Sequence, residues 1–194
     1  MDIFGERLYL KQLTENDVTD DMMLWFENTE LMRYYTNSGR KITKQELTHS
    51  IREGAETQTN YTFGIFVKDQ HRIIGTVKLG PINKKHGISD LATLIGDADY
   101  HGKGYSSEAI ELGTRMAFEK YGIRRLYGGM YASNIPSIKT YLRAGWIVEG
   151  RLKGYYLTEG KSEDRILVGC FNPACFSLEE INEIKNNSKQ YGSF

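Results

Sequence analysis

The segment Asp99-Tyr-His-Gly-Lys-Gly-Tyr-Ser-Ser-Glu-Ala109 joins the end of a strand-like run to the start of an amphipathic stretch. Its residue types suggest anion binding. Gly102 and Gly104 let the backbone come close to a ligand, and the first free N–H groups of the following helix, with its dipole, point at an anion lying there. A nucleotide-like cofactor is the first candidate, although glycines at this spacing also serve turns that bind nothing. The ATP-binding P-loop needs Lys directly after its last Gly, then Ser or Thr; Tyr105 stands there instead. The dinucleotide fingerprint has three small positions, which Gly102, Gly104 and Ser107 approach, but it belongs at the first strand of a parallel sheet. This turn lies past the midpoint of the chain.

A second constellation follows: Tyr131-Ala-Ser-Asn-Ile-Pro-Ser-Ile-Lys-Thr-Tyr-Leu-Arg-Ala-Gly-Trp146, then Glu149-Gly150. Together the two segments resemble the GNAT superfamily of acetyl-CoA-dependent N-acyltransferases. The cofactor turn of that family reads Arg or Gln, two residues, Gly, one residue, then Gly or Ala. His101, Gly104 and Ser106 occupy these places, the first and last departing from the pattern. Downstream the family has Asn, a short helix with a Tyr, then Gly-Phe; Asn134, Tyr141, Gly145 and Trp146 match, with Trp for Phe. The resemblance extends to the branch of ribosomal-protein alanine, spermidine and amino-sugar N-acetyltransferases. Glu6-Arg-Leu-Tyr-Leu10, Ile74-Gly75, Glu108-Ala109, Glu149-Gly150 and Asp164 fit that branch, and residues beyond about Phe176 lie outside it.

The resemblance implies a set of roles. Tyr141 would stand near the cofactor sulfur, where a phenol can protonate a leaving thiolate. Packing beside Ile138 and Leu142 is its alternative. Asp90 matches an acid early in the cofactor strand and would take a proton through water, or would be a solvated charge on a half-exposed strand. Leu94, Ile95 and Gly96 would offer backbone groups to the pantetheine arm where two strands splay apart. The turn would hold pyrophosphate through His101, Gly102, Lys103, Gly104, Tyr105, Ser106 and Ser107. Asn134 and Ser137 complete the implied cofactor set, Asn134 equally suiting the start of a helix. Acetyl-CoA is the implied cosubstrate, and the acceptor a small-molecule amine or a peptide N-terminus. Dimers are common among similar proteins, which leaves a homodimer open. Amide formation needs an uncharged amine, a polarised thioester and a stabilised thiolate. A noncatalytic acyl-CoA-binding or sensing module would keep every cofactor feature, and a plain dinucleotide binder would need a parallel sheet.

Composition narrows the partners. Lys plus Arg and Asp plus Glu both number 25 in 194 residues, so formal net charge is zero. No single-sign block suggests nucleic acid or a membrane surface, and zero charge disfavours a polyamine specialist, which would want an acidic pocket. No apolar stretch nears the ~20 residues of a membrane span, and Met1-Asp-Ile-Phe-Gly-Glu has neither a basic start nor an apolar signal core. A cytoplasmic protein is expected. Cys170 and Cys175 lack a second Cys/His pair at zinc spacing, and His49, His71, His86 and His101 are scattered, so no metal is implied.

The positioning elements can be read from periodicity. Leu8 and Leu10 alternate as in a strand, Thr14 and Asp17 resemble a capping box leading into a helix, and 20–32 is apolar enough to be helical. Thr43 and Glu46 open a helix at about 44–57. Strands at 63–67 and 72–79 form a hairpin, and 88–96 is the strand delivering the turn. A helix with Ile110, Gly113, Ala117 and Tyr121 on one side stops at Gly122, and 126–132 is a strand. A helix begins near Pro136 and ends at Gly145; two strands then turn near Glu159-Gly160. Hairpin-linked strands with interspersed helices give an α+β fold. The resemblance makes it GNAT-like: a mixed, mostly antiparallel central sheet flanked by helices. One domain over 1–176 is expected, then 177–194 as a short helix at 178–184 and a polar tail. The acceptor surface falls to about 20–45 and 150–165, which contain no decodable motif.

Overall fold

A computed structural model of the chain describes residues 2–35, 41–158 and 160–191. In chain order the elements are β1 (Ile3–Phe4), β2 (Leu8–Gln12), α1 (Asp20–Glu27), α2 (Thr29–Met32), α3 (Lys44–Thr57), β3 (Tyr61–Val67), β4 (Arg72–Leu79) and β5 (Ile88–Ile95). There follow α4 (Tyr105–Tyr121), β6 (Arg125–Tyr131), α5 (Ile135–Arg143), β7 (Ile147–Thr158), β8 (Lys161–Phe171) and α6 (Leu178–Ser188). The strands make one sheet in the order β1-β2-β3-β4-β5-β6-β8-β7. Every neighbouring pair is antiparallel except β5 and β6, which are parallel and pair only at Ile88, Ser89 and Asp90 against Arg125, Leu126 and Tyr127. The fold is α+β with splayed strands, and the doubly wound sheet of a dinucleotide binder is absent among the described residues.

Local sequence explains the ends of the helices that matter. α3 starts with the reciprocal Thr43–Glu46 capping box, and α4 ends where Gly122, at φ 62°, sends its N–H back to Ala117 O. α4 lays Ala109, Ile110, Leu112, Gly113, Met116 and Ala117 on the sheet. Burying each Leu, Ile or Met side chain contributes roughly 1.5–3 kcal/mol. Gly113 lets the helix approach closely, because a Cβ there would stand 3.0 Å from Val77 Cγ1. The opposite face is covered by α1 and α3 through Met22, Met23 and Ile51, joined by Leu13 just after β2, with Trp25, Phe26 and Leu47 at the margin.

Three expectations are adjusted. The Thr14–Asp17 capping box opens only a 3-10 turn over Glu15–Asp17, and α1 starts later, with Thr19 capping Met22 N. The 20–32 stretch is two helices, because Asn28 adopts ψ 102° and turns its side chain to cap Leu31 N. At the C-terminus the helix runs on to Ser188 and a 3-10 turn follows over Lys189–Tyr191. Tyr191 packs against the main core, which ties this polar segment down. Glu159 of the expected turn lies outside the described residues, as do 36–40 of the expected acceptor segment and 192–194 of the tail.

Candidate active site

The site begins where β5 loses its partner. Asp90 O accepts from Gly80 N–H on the β4 side (3.1 Å), so by alternation Leu91, Thr93 and Ile95 turn their backbone groups toward β6. β6 no longer pairs there. Two of these carbonyls have found substitutes: Leu91 O accepts the Tyr141 hydroxyl at 2.8 Å, and Ile95 O the His101 Nε2–H at 2.8 Å. Thr93 sits between them, its buried hydroxyl close enough to the Tyr141 phenol to lower its pKa but in no hydrogen bond of good geometry among the described residues. An orphaned buried polar group costs about 1–3 kcal/mol unless something fills the space beside it. The space is there: a cleft of 540 Å³ runs through the gap, from the turn before α4 to Tyr34, Tyr156 and Arg165.

At one mouth of the cleft the chain makes the glycine turn. Gly102 and Gly104 sit at φ 70° and φ 81°, which a side chain would strain, and Gly104 is the N-cap of α4 without a side-chain cap. The first N–H groups of a helix have no intrahelical partner. A Cβ on Gly102 would meet nothing within 4 Å, so the turn is open to solvent, from which an anion can reach it. Glu108, in the first turn of α4, would repel that anion if left alone. It accepts instead from Arg7 N (2.8 Å), Leu8 N (3.0 Å) and Arg7 Nε (2.9 Å). Burial pushes the Glu108 carboxyl up, but these bonds outweigh it and hold the group below its ordinary range. Arg7 Nη1 also donates to Lys103 O (2.9 Å), so one guanidinium fastens the turn to the N-terminal strands. The open turn, the unpaired strand edge and the orphaned Thr93 hydroxyl fit the pyrophosphate and pantetheine of a CoA thioester.

Most residues singled out from the sequence meet in this cleft. Leu94 and Ile95, the turn from His101 to Ser107 without Lys103, and Asn134 and Ser137 all line it, together with Asp90 and Tyr141. Asn134 caps α5, its side-chain oxygen accepting from Ser137 N at 3.3 Å. Two residues stand apart. Gly96 lies under the Trp25 ring, where a Cβ would come within 2.0 Å, and Lys103 meets Arg7 through its carbonyl.

Asp90 and Tyr141 sit at the closed end of the gap. Burial pushes the Asp90 carboxyl up to about 6, against the pull of Arg165, the Leu91 backbone and Lys78. Burial also raises the Tyr141 phenol, and the nearby Asp90 charge adds to this, while Thr93 pulls the other way. Tyr141 is 6% exposed and meets Trp146 edge-on at 4.9 Å between ring centres. The Trp146 ring is held by its own N–H to Thr114 Oγ1, 3.1 Å away. The larger aromatic thus fills the Phe place and orients the phenol.

Residues without a sequence signal complete the cleft. Tyr34 and Tyr35 come from the turn after α2, while Tyr156 and Arg165 come from the β7–β8 hairpin. Tyr156 stacks on Tyr131 (3.8 Å, 16°), and Arg165 lies across Gly129, where a Cβ would fall 2.0 Å from its Nε. The one available hint was Gly128-Gly129 inside a strand, since glycine there marks a close approach.

Comparison with known proteins agrees with this geometry. The acetyltransferase (GNAT) domain family matches residues 7–147. The chain therefore belongs to the GNAT acetyltransferases, a family of acyl-CoA-dependent N-acetyltransferases, and the noncatalytic reading is not favoured. Among curated relatives, the probable N-acetyltransferase YjcK of Bacillus subtilis is 27% identical over 87% of this chain and 96% of its own. An uncharacterized N-acetyltransferase of Bacillus licheniformis, p20, is 25% identical over 84% of this chain and 91% of its own. Among solved structures, spermidine N-acetyltransferase from Vibrio cholerae, in complex with CoA and spermine, has a TM-score of 0.77 at 20% identity, covering 86% of this chain and 96% of that one. Ribosomal-protein-S5-alanine acetyltransferase from Vibrio fischeri has 0.74 at 22%, covering 89% and 97%. No helix among the described residues is long and apolar enough to cross a membrane.

Proposed function

We propose that the chain transfers acetyl from acetyl-CoA to the primary amine of a small molecule or a peptide N-terminus, with Asp90 as base and Tyr141 as acid. The observation that carries this reading is the placement of an acid with raised pKa and a buried phenol at the closed end of one gap. When bound, acetyl-CoA supplies the activated acyl group. The turn from His101 to Ser107 holds its pyrophosphate through backbone N–H groups, and Thr93 with Asn134 engages the pantetheine amides. Asp90, ionised above about pH 6, takes the proton of an incoming ammonium directly or through one water. Tyr141 stays protonated at neutral pH and holds its proton on Leu91 O until a stronger acceptor, a departing sulfur, comes within reach. Burial of both groups strengthens these interactions by excluding water.

The test combines binding with turnover. Acetyl-CoA should raise the melting temperature well beyond any shift given by NAD or ATP, since a ligand of the native state adds stability by mass action. Free-thiol release from acetyl-CoA should then appear with some member of a primary-amine panel. Equal shifts with all three nucleotides, or no thiol release with any amine, would overturn the proposal.

A further inference from the structure

A second cavity, of 340 Å³, lies beneath α1 and α3 on the other face of the sheet. Tyr35 and Ala92 border both this cavity and the cofactor cleft. Asp90 is two residues from Ala92 on the same face of β5, so the cavity opens beside the proposed base. Its walls are mainly apolar, with Met22, Phe26, Leu47 and Ile51 opposite the strand floor of Thr62, Thr76 and Lys78. Met22 and Phe26 come from α1, in the 20–45 segment that holds no decodable motif, and Leu47 and Ile51 from α3.

The charges around this space are distinctive. Lys78 lies opposite Ala92 in the β4–β5 ladder, which puts it diagonal to Asp90, roughly 7–8 Å away between backbones. Its ammonium makes no ion pair or hydrogen bond among the described residues, although it is close enough to lower the Asp90 pKa. Arg165 brings a second cation to Asp90 from the other side, and its Nε is buried without a hydrogen-bond partner. Glu46 supplies a carboxylate to the lining itself, while Asp90 stands next door in the cofactor cleft; Glu46 accepts from both the Thr43 backbone and the Thr43 hydroxyl as the cap of α3. A polycation entering here would be repelled by Lys78 and Arg165, the two cations nearest Asp90. A lone cationic amine beside Asp90 with an anion reaching Lys78 would be complementary, provided that its body were apolar.

Taking the acetyl-transfer reading as its basis, we infer that the acceptor is a small zwitterionic primary amine with an apolar side group, the chemistry of a hydrophobic α-amino acid. Its amine sits at Asp90, its carboxylate pairs with Lys78, and its side group fills the cavity between α1 and α3. Lys78 is exposed at the rim of the cavity, so its charge steers the carboxylate on encounter and orients it while the apolar walls take the side group.

The experiment compares L-phenylalanine and L-leucine with their amides, with the dipeptide Leu-Gly, and with spermidine and glucosamine. Thiol release from acetyl-CoA gives kcat/KM, and calorimetric binding to the CoA-loaded protein gives affinity without turnover. An amide leaves a less basic, more often uncharged amine, so intrinsic reactivity favours the amides and a preference for the acids has to come from the site. The free acids should exceed their amides by tenfold or more in affinity and kcat/KM, and spermidine should be poorest. Lys78→Met should abolish the preference for acid over amide. Binding of the acids that depends on Lys78 without any thiol release would support this inference and defeat the acetyl-transfer reading. Thiol release with equal use of acids and amides, a preference for Leu-Gly, spermidine or glucosamine, or an unchanged preference in Lys78→Met would overturn the inference and leave acetyl transfer standing. Neither binding nor thiol release would overturn both.

Discussion

The two halves of the site are built on different principles. The cofactor half is made mainly by the stretch from β5 to α4 and speaks largely through its backbone: a turn with two glycines at positive φ, the first N–H groups of α4, and a strand edge that β6 has left unpaired. The acceptor half is made by side chains from β4, β5, β8 and the helices α1 to α3, brought together by the fold alone. A ligand common to a whole family can be met by backbone groups, which survive substitution. A ligand particular to one enzyme has to be met by side chains. Mutations in the two halves should accordingly separate binding of the acyl donor from selection of the amine.

The largest effect is expected at the junction of the halves. Tyr141→Phe removes one hydroxyl and keeps the ring against Trp146, so kcat should fall by about 10²-fold, the scale of general acid catalysis, with the acetyl-CoA dissociation constant nearly unchanged. Turnover and affinity measured on the same protein test this. Unchanged turnover would leave Tyr141 as packing, with its hydroxyl serving only Leu91 O. Because that carbonyl loses its partner in the variant, a stability loss of about 1 kcal/mol should accompany it.

Asp90 provides a test through pH. As a base it must be ionised, so kcat/KM should rise with pH through about 6, the value to which burial lifts it. Lys78 and Arg165 are the cations facing it, and Tyr127 and Tyr141 have pKa values raised above that of an ordinary phenol. Asp90→Asn should lower kcat/KM by ~10- to 100-fold and flatten the rise near pH 6. A rate profile that keeps the same inflection in Asp90→Asn would remove Asp90 from the chemistry.

Legibility followed the same division. The turn before α4 and the stop of α4 at Gly122 could be read directly, because caps, glycines and helical period all act within the segment itself. α3 was equally plain through Thr43 and Glu46. The break at Asn28 was not, since an Asn in an apolar stretch is tolerated in a helix or caps a new one according to tertiary contacts. Nor was the helical continuation to Ser188, which rests on distant packing of α6 and Tyr191. In the site, Asp90, Asn134 and Tyr141 stood out by resemblance to a family pattern. Lys78, Thr93, Tyr156 and Arg165 did not, because their roles depend on pairing register across strands far apart in sequence.

Two smaller effects sharpen the contrast on the cofactor side. Gly104→Val forces a branched residue to φ 81° and crowds Arg7 Nη2, 3.4 Å from the Cβ position, so acetyl-CoA affinity should drop about tenfold or more. Glu108→Ala leaves the N–H groups of Arg7 and Leu8 without their carboxylate, and should lower stability by about 1–3 kcal/mol in a denaturant titration. Affinity for acetyl-CoA should weaken only a few-fold there, because the anion-facing N–H groups remain. A larger loss of affinity than in Gly104→Val would shift the anion site from the turn toward the β1–β2 edge.

The most direct measurement crosses the two halves. Acetyl-CoA dissociation constant and amine KM are determined side by side for Gly104→Val and Lys78→Met, using the best amine of the panel. The account predicts a clean exchange: Gly104→Val weakens acetyl-CoA and leaves the amine KM near wild type, and Lys78→Met raises the amine KM and leaves acetyl-CoA binding alone. If both constants move together in both folded variants, the division of the cleft into a backbone-read donor half and a side-chain-read acceptor half is wrong.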